Sequence, residues 1–263
     1  MRLDRFLNQF SSMKRQHKKK KTLKVLLIFL LLIVVACFGF MFSRGWIHGE
    51  FKASAGALNI ITDEHVSYNI ERLENNSLAF VPNEANVGVI LYPGGLVQHE
   101  AYAPLMNKLA ERGILCVMID AKSGLPLMET AKADVIVESF PQIERWYIGG
   151  HSMGGLAAAS YVSNHLDVFD GLILLAAYSN QDLSNADIDV LCIYGSEDGV
   201  MNRESYEAGK DKIPADFKEF VIEGGCHSYF ADYGLKGEET VPAVSSLEQA
   251  QITAGLIEDF VKR

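Results

Sequence analysis

Three side chains spread over the second half of the chain have the types and order for acyl-transfer chemistry: Ser152, Asp198 and His227. Ser152 stands in Gly150-His151-Ser152-Met153-Gly154, after the apolar Trp146-Tyr147-Ile148 and before Leu156-Ala157-Ala158-Ala159-Ser160-Tyr161. A serine hydroxyl is a weak nucleophile. The chemistry needs it held clear of a sheet, beside a base, at a helix N-terminus whose free N–H groups face a developing oxyanion. Strand, sharp turn and helix in that order meet the need, and the flanking glycines permit the crowded turn. Gly-x-Ser-x-Gly alone also fits an empty β–α turn; the apolar strand before it and the helical stretch after it favour the nucleophile.

Ligands of parallel α/β sheets gather beyond the carboxyl ends of the strands, so the loops there are the place to seek partners. Val190-Leu191-Cys192-Ile193-Tyr194 runs into the acidic turn Gly195-Ser196-Glu197-Asp198-Gly199, and Gly224-Gly225-Cys226-His227 follows the next apolar run. Histidine titrates near neutrality, so His227 is expected to take the Ser152 proton and return it to the leaving group. Asp198 is expected to fix the imidazole tautomer and stabilise its charged form. Glu197 is the adjacent alternative, and the sequence leaves that one-residue shift open. For the oxyanion, one donor is expected at the Met153 N–H and one in Leu91-Tyr92-Pro93-Gly94-Gly95-Leu96-Val97, at Gly95 or next at Leu96. Tyr102, Tyr229 and Phe230 are candidates to line a substrate pocket.

The elements that must position these residues follow from hydrophobic patterning. Continuous apolar runs at Val87–Tyr92, Ile114–Ile119, Trp146–Ile148, Leu172–Leu175, Val190–Tyr194 and Phe217–Ile222 read as strands. Between and after them, helices are expected near Tyr102–Arg112, Met128–Phe140, Met153–His165, Arg203–Lys210 and Ser246–Lys262. Such alternation predicts an α/β fold: a doubly wound, mostly parallel sheet with helices on both faces. Val66–Arg72 and Leu78–Val81 read as two edge strands joined at Asn75-Asn76.

Taken together, Tyr92-Pro93-Gly94-Gly95, Gly149-Gly150-His151-Ser152-Met153-Gly154-Gly155, Tyr194-Gly195-Ser196-Glu197-Asp198-Gly199 and Gly224-Gly225-Cys226-His227 resemble the α/β-hydrolase superfamily. More narrowly they are similar to its compact bacterial branch, related in form to dienelactone hydrolases. The resemblance covers roughly Val66 to Arg263 and implies the fold, the Ser-Asp-His triad and the two backbone donors. Only Ala176 to Asp189 follows the strand ending at Leu175, too little for the lid that many relatives insert there. Dienelactone hydrolases use a cysteine where this chain has Ser152, so their substrate does not carry over. The implied activity is that of a serine hydrolase acting on a carboxylic ester or related acyl bond, with no metal and no organic cofactor. Acyl transfer to an alcohol, or a hydrolase fold kept for binding alone, are the alternatives.

The chain of 263 residues carries a net charge of −9, unevenly distributed. Up to Lys24 there are nine Lys/Arg against one Asp, +8, which leaves −17 for the remainder. The basic segment 1–24 suits anionic lipid head groups, and the acidic remainder argues against nucleic acid. The uncharged run 25–42 reaches about 27 Å as a helix, close to a bilayer's hydrocarbon thickness. Positive charge before it predicts a single-pass transmembrane helix with the N-terminus cytoplasmic and the catalytic domain extracytoplasmic, on the cell membrane. A signal peptide cut near Ala53-Ser54-Ala55, or a lipoprotein modified at Cys37, would put the domain on the same side. Residues 43–57 read as a stalk and 58–263 as the catalytic domain. Cys116, Cys192 and Cys226 lack zinc or redox spacing. A small-molecule or lipid-like acyl substrate is the expected partner; the sequence does not specify an oligomer.

Overall fold

The computed structural model describes residue 33, residues 51–235, Glu239 and residues 241–262. The expected membrane span and basic segment thus lie outside the described residues, residue 33 excepted. Among the described residues no helix is long and apolar enough to cross a membrane.

Eight strands form one sheet: β1 (Tyr68–Arg72), β2 (Leu78–Pro82), β3 (Val87–Tyr92), β4 (Leu115–Met118), β5 (Arg145–His151), β6 (Gly171–Leu175), β7 (Asp189–Gly195) and β8 (Lys218–Ile222). Their spatial order is β1-β2-β4-β3-β5-β6-β7-β8. β1 and β2 pair antiparallel, as does β2 with β4, and every later pairing is parallel. The helices are α1 (Ala55–Ile61), α2 (Ala103–Ala110), α3 (Lys132–Ser139), α4 (Met153–Val162), α5 (Arg203–Lys210) and α6 (Ser246–Val261).

Parallel strands read as unbroken apolar runs because both faces of the sheet are covered. All six residues of β3 are buried. Val89 and Leu91 join one core with Leu105, Met106 and Leu109 of α2 and Ile257 and Phe260 of α6. Ile90 and Tyr92 join the other, with Ile136 of α3 and Ala157 and Ala158 of α4. Burying each large side chain contributes roughly 1.5–3 kcal/mol relative to leaving it in water. The strong burial therefore sits in the centre of the sheet, beneath the strand that delivers Ser152.

Three departures from the sequence expectation have local causes. The helix expected from Met128 begins only at Lys132, because Pro126 to Met128 is a separate 3-10 turn that leaves Met128 74% exposed. β8 is an outer strand whose residues are exposed except Ile222, so its apolar content is not a sign of full burial. The expected stalk is no stalk from Phe51 onward: Phe51 bridges to Val97, and Ala55 already starts α1, capped by the Ser54 side chain.

Candidate active site

β5 ends at His151, and α4 starts at Met153, so the whole change of direction falls on Ser152. Its φ of 54° and ψ of −120° are unusual for a residue with a side chain, a conformation of the order of 1–3 kcal/mol above the ordinary wells. The Ser152 N–H donates to Leu175 O at 2.9 Å, which ties the turn to β6. Strand and helix cross closely just there. A Cβ on Gly150 would lie 2.3 Å from the Gly154 carbonyl carbon, and one on Gly154 2.2 Å from Tyr92 O. Both positions are closed to any other residue without backbone movement.

The β7 and β8 ends are stitched so that Asp198 meets His227. Ser196 N–H donates to Ile222 O at 3.0 Å, Glu197 N–H to Gly225 O at 2.8 Å, and Gly224 N–H to the Ser196 hydroxyl at 2.8 Å. Asp198 Oδ2 lies 2.9 Å from His227 Nδ1, with side-chain exposures of 0% and 2%. Asp198 Oδ1 accepts the N–H groups of Val200 and Met201 at 2.9 and 2.8 Å. Burial pushes the Asp198 carboxyl up, but the His227 hydrogen bond and charge, with the Met201 and Val200 N–H groups, together hold it below its ordinary value. Glu197 is exposed and turned to Ser196, so Asp198 is the acid beside the imidazole.

Two residues that the sequence reading missed hold the His227 loop. Gln249 of α6 is buried, accepts the Cys226 N–H at 3.0 Å and donates to Cys226 O at 2.8 Å. Glu239 accepts the N–H groups of His227 at 2.9 Å and Ser228 at 3.3 Å, and the Ser228 hydroxyl. A glutamine on the apolar face of a helix was a visible signal; Glu239 in an acidic loop gave none. Burial pushes the neighbouring Cys226 thiol up to about 11, which keeps it protonated and unreactive.

The His227 ring lies against His151, the residue preceding Ser152, at 4.6 Å between ring centres. His227 Nε2 is buried and forms no hydrogen bond among the described residues, so Ser152 and His227 are not joined by one. In sites of this kind that bond commonly tightens only with substrate bound.

On the other flank, Gly94 N–H donates to the Tyr102 hydroxyl at 2.7 Å, and that hydroxyl is 2.8 Å from His151 Nδ1. Burial holds the Tyr102 phenol well above its ordinary value, so its proton stays and is available to His151. Tyr102 thus lies 1% exposed behind the loop, not in the substrate pocket expected of it. Phe230 is also buried, its ring 5.6 Å from His151, whereas Tyr229 is partly exposed. Of the two candidates for the one donor expected in this loop, Leu96 has its N–H committed to Gly124 O at 2.8 Å. The Gly95 and Met153 N–H groups enter no such backbone bond among the described residues, and a Cβ on Gly95 would lie 3.1 Å from Met153 Cε.

A cleft of about 610 Å³ opens at the amino ends of β5 and β7, among Asp167, Asp170, Asp187 and Asp189. It holds no nucleophile, and it is at the wrong end of the sheet. Among the described residues no three metal-ligating side chains converge.

No curated protein matches the sequence. Two solved structures share the fold at a TM-score of 0.54 each: a predicted CIB-like hydrolase from Thermoplasma acidophilum and TT1662 from Thermus thermophilus. The first is 17% identical, with 73% of this chain and 98% of that one covered; the second is 16% identical, with 75% and 100% covered. A sequence profile of the Alpha/beta hydrolase family matches residues 88–251, well over half the chain, and the protein therefore belongs to the alpha/beta hydrolase family.

Proposed function

We propose that this protein is a serine hydrolase that cleaves a carboxylic ester or related acyl bond through an acyl-Ser152 intermediate. The observation that carries the reading is the buried Asp198–His227 pair set against a strained elbow whose turn residue is Ser152. Ser152 Oγ attacks the substrate carbonyl carbon while His227 Nε2 takes the hydroxyl proton. Asp198, bonded to Nδ1, keeps the other nitrogen free to receive it and stabilises the imidazolium formed. The carbonyl oxygen becomes an oxyanion facing the N–H groups of Met153 and Gly95. Collapse breaks the bond to the alcohol, which leaves with the proton from His227; water, activated by the same imidazole, then releases the acid and regenerates Ser152.

The second part of the proposal is placement. Residues 25–42 anchor the protein as a single transmembrane helix, with the basic segment at the anionic cytoplasmic surface and the catalytic domain outside. Charge asymmetry and an uninterrupted apolar run support it.

The full chain in detergent should bind a fluorophosphonate probe covalently at Ser152. Ser152→Ala should abolish labelling and lower kcat by about 10⁶-fold. Labelling that survives Ser152→Ala overturns the assignment. Protease added to intact cells should remove the domain; complete protection overturns the orientation.

A further inference from the structure

Residues 51–54 touch both flanks of the site. Phe51 N–H donates to Leu96 O at 2.7 Å, Gln98 N–H donates to Phe51 O at 3.1 Å, and Ala53 N–H donates to Gln98 Oε1 at 3.1 Å. These bonds grip the loop that carries Gly95. At the next residue, Ser54, the same segment reaches the chain just beyond His227. Ser54 N–H donates to Asp232 O at 2.8 Å, the Ser54 hydroxyl bonds the Asp232 carboxylate, and the Phe51 ring sits 5.1 Å from that of Tyr233. Asp232 N–H in turn donates to Ala101 O at 2.7 Å, which closes the circuit from one flank to the other.

We propose that residues 51–54 act as a strap that positions the oxyanion loop and the His227 loop relative to each other. The inference rests on the serine-hydrolase reading and adds positioning residues to it. Leu96 adopts a φ of 62°, a left-handed backbone that a residue with a side chain rarely adopts. Such a conformation persists only where its surroundings over-determine it. Leu96 has two fastenings: its N–H goes to Gly124 O, and its carbonyl accepts from Phe51. The strap supplies the second. Remove it, and Leu96 can relax toward negative φ, which turns the neighbouring Gly95 peptide away from the oxyanion. Both loops also lose their common brace, so donor and base drift together. The Phe51, Ala53 and Ser54 side chains touch no reacting atom; their role is positioning.

The test uses the full chain. Phe51→Pro removes the N–H that Leu96 O accepts, while Phe51→Leu keeps it. With an activated ester, Phe51→Pro should lower kcat and the rate of fluorophosphonate labelling about tenfold to hundredfold, with KM changed less than about twofold, and Phe51→Leu should restore both. Hydrogen–deuterium exchange should rise in Phe51→Pro at residues 93–101 and 226–233 and stay unchanged in β5 and β6. The exchange measurement needs no turnover and still answers if Phe51→Pro is too unstable to assay at higher temperature. Cutting the full chain at a protease site placed within residues 44–49, upstream of the strap, should leave kcat unchanged. A stably folded Phe51→Pro protein with wild-type kcat and wild-type exchange in both loops overturns the strap. If the wild type takes no probe at Ser152, the serine-hydrolase reading fails instead, and exchange alone then decides whether the strap braces the two loops.

Discussion

On one flank of Ser152, the loop carrying His227 is fastened by charged and polar side chains: Asp198 on the imidazole, Gln249 on both main-chain groups of Cys226, and Glu239 on the N–H groups of His227 and Ser228. On the other, the loop carrying Gly95 is fastened mainly by main chain, through Gly124 O and Phe51, with side-chain ties from the Tyr102 hydroxyl at Gly94 and from Gln98 to the Ala53 N–H. A base must be held against changes in its own charge, so it needs ionised and hydrogen-bonding neighbours in a dry setting. A backbone donor has no charge to manage. It needs only a rigid peptide plane at the right height, and main-chain bonds supply that.

Single substitutions should therefore hurt the base flank far more. The largest effect is expected from Asp198→Asn: the fold survives, but the imidazole loses its anionic partner, and kcat falls about 10⁴-fold, roughly 5.5 kcal/mol of transition-state stabilisation. Steady-state kinetics with an activated ester checks it, and a loss below tenfold would break the contrast at its strongest point. Gln249→Ala should leave the buried N–H and C=O of Cys226 unpaired, at about 2–3 kcal/mol of stability, read from the denaturant midpoint. Tyr102→Phe removes one hydroxyl between Gly94 and His151 and should cost only about tenfold in kcat, with KM little changed. A loss as large as that of Asp198→Asn would mean that the donor flank depends on side-chain fastening after all.

The smallest effect concerns acid. The Asp198 carboxyl is held below its ordinary value in the folded chain, so it binds protons more readily when unfolded. Its stabilising contribution is fully present above the unfolded carboxylate value of about 3.9 and is lost as pH falls through the lower folded value. Unfolding midpoints measured from pH 5 downward should therefore drop more steeply for wild type than for Asp198→Asn. Equal slopes would show that the pair does not shift the carboxyl.

The same contrast explains what was legible in the sequence. Ser152, Asp198 and His227 stand out because their chemistry is in their side chains and each follows an apolar strand. β3 to β7 stand out because strands buried on both faces are written as unbroken apolar runs. Phe51–Ser54 reads as stalk in the sequence because main-chain bonds leave no mark on residue type, and four residues are too few to show a period. Leu96 is the sequence's second choice for the loop's one donor, and in the fold its N–H goes to Gly124 O, a contact 28 positions apart in the chain that spacing cannot foretell. Tyr102 invites a pocket reading for the opposite reason, as an aromatic near a loop, whereas it sits buried in a 3-10 turn before α2 with its hydroxyl between Gly94 and His151. Glu197 and Asp198 could be separated only by the turn that points one outward and the other at the ring.

The brace formed by residues 51–54 bears on how the protein should be produced. A recombinant version trimmed to start at Val66 would keep all eight described strands and the proposed Ser152, Asp198 and His227 triad, and so look complete by spectroscopy, yet lack the segment that braces the two loops. Substrate panels run on such a fragment would return weak or empty results that say nothing about the intact enzyme. For the same reason, the useful starting point for expression lies upstream of Phe51.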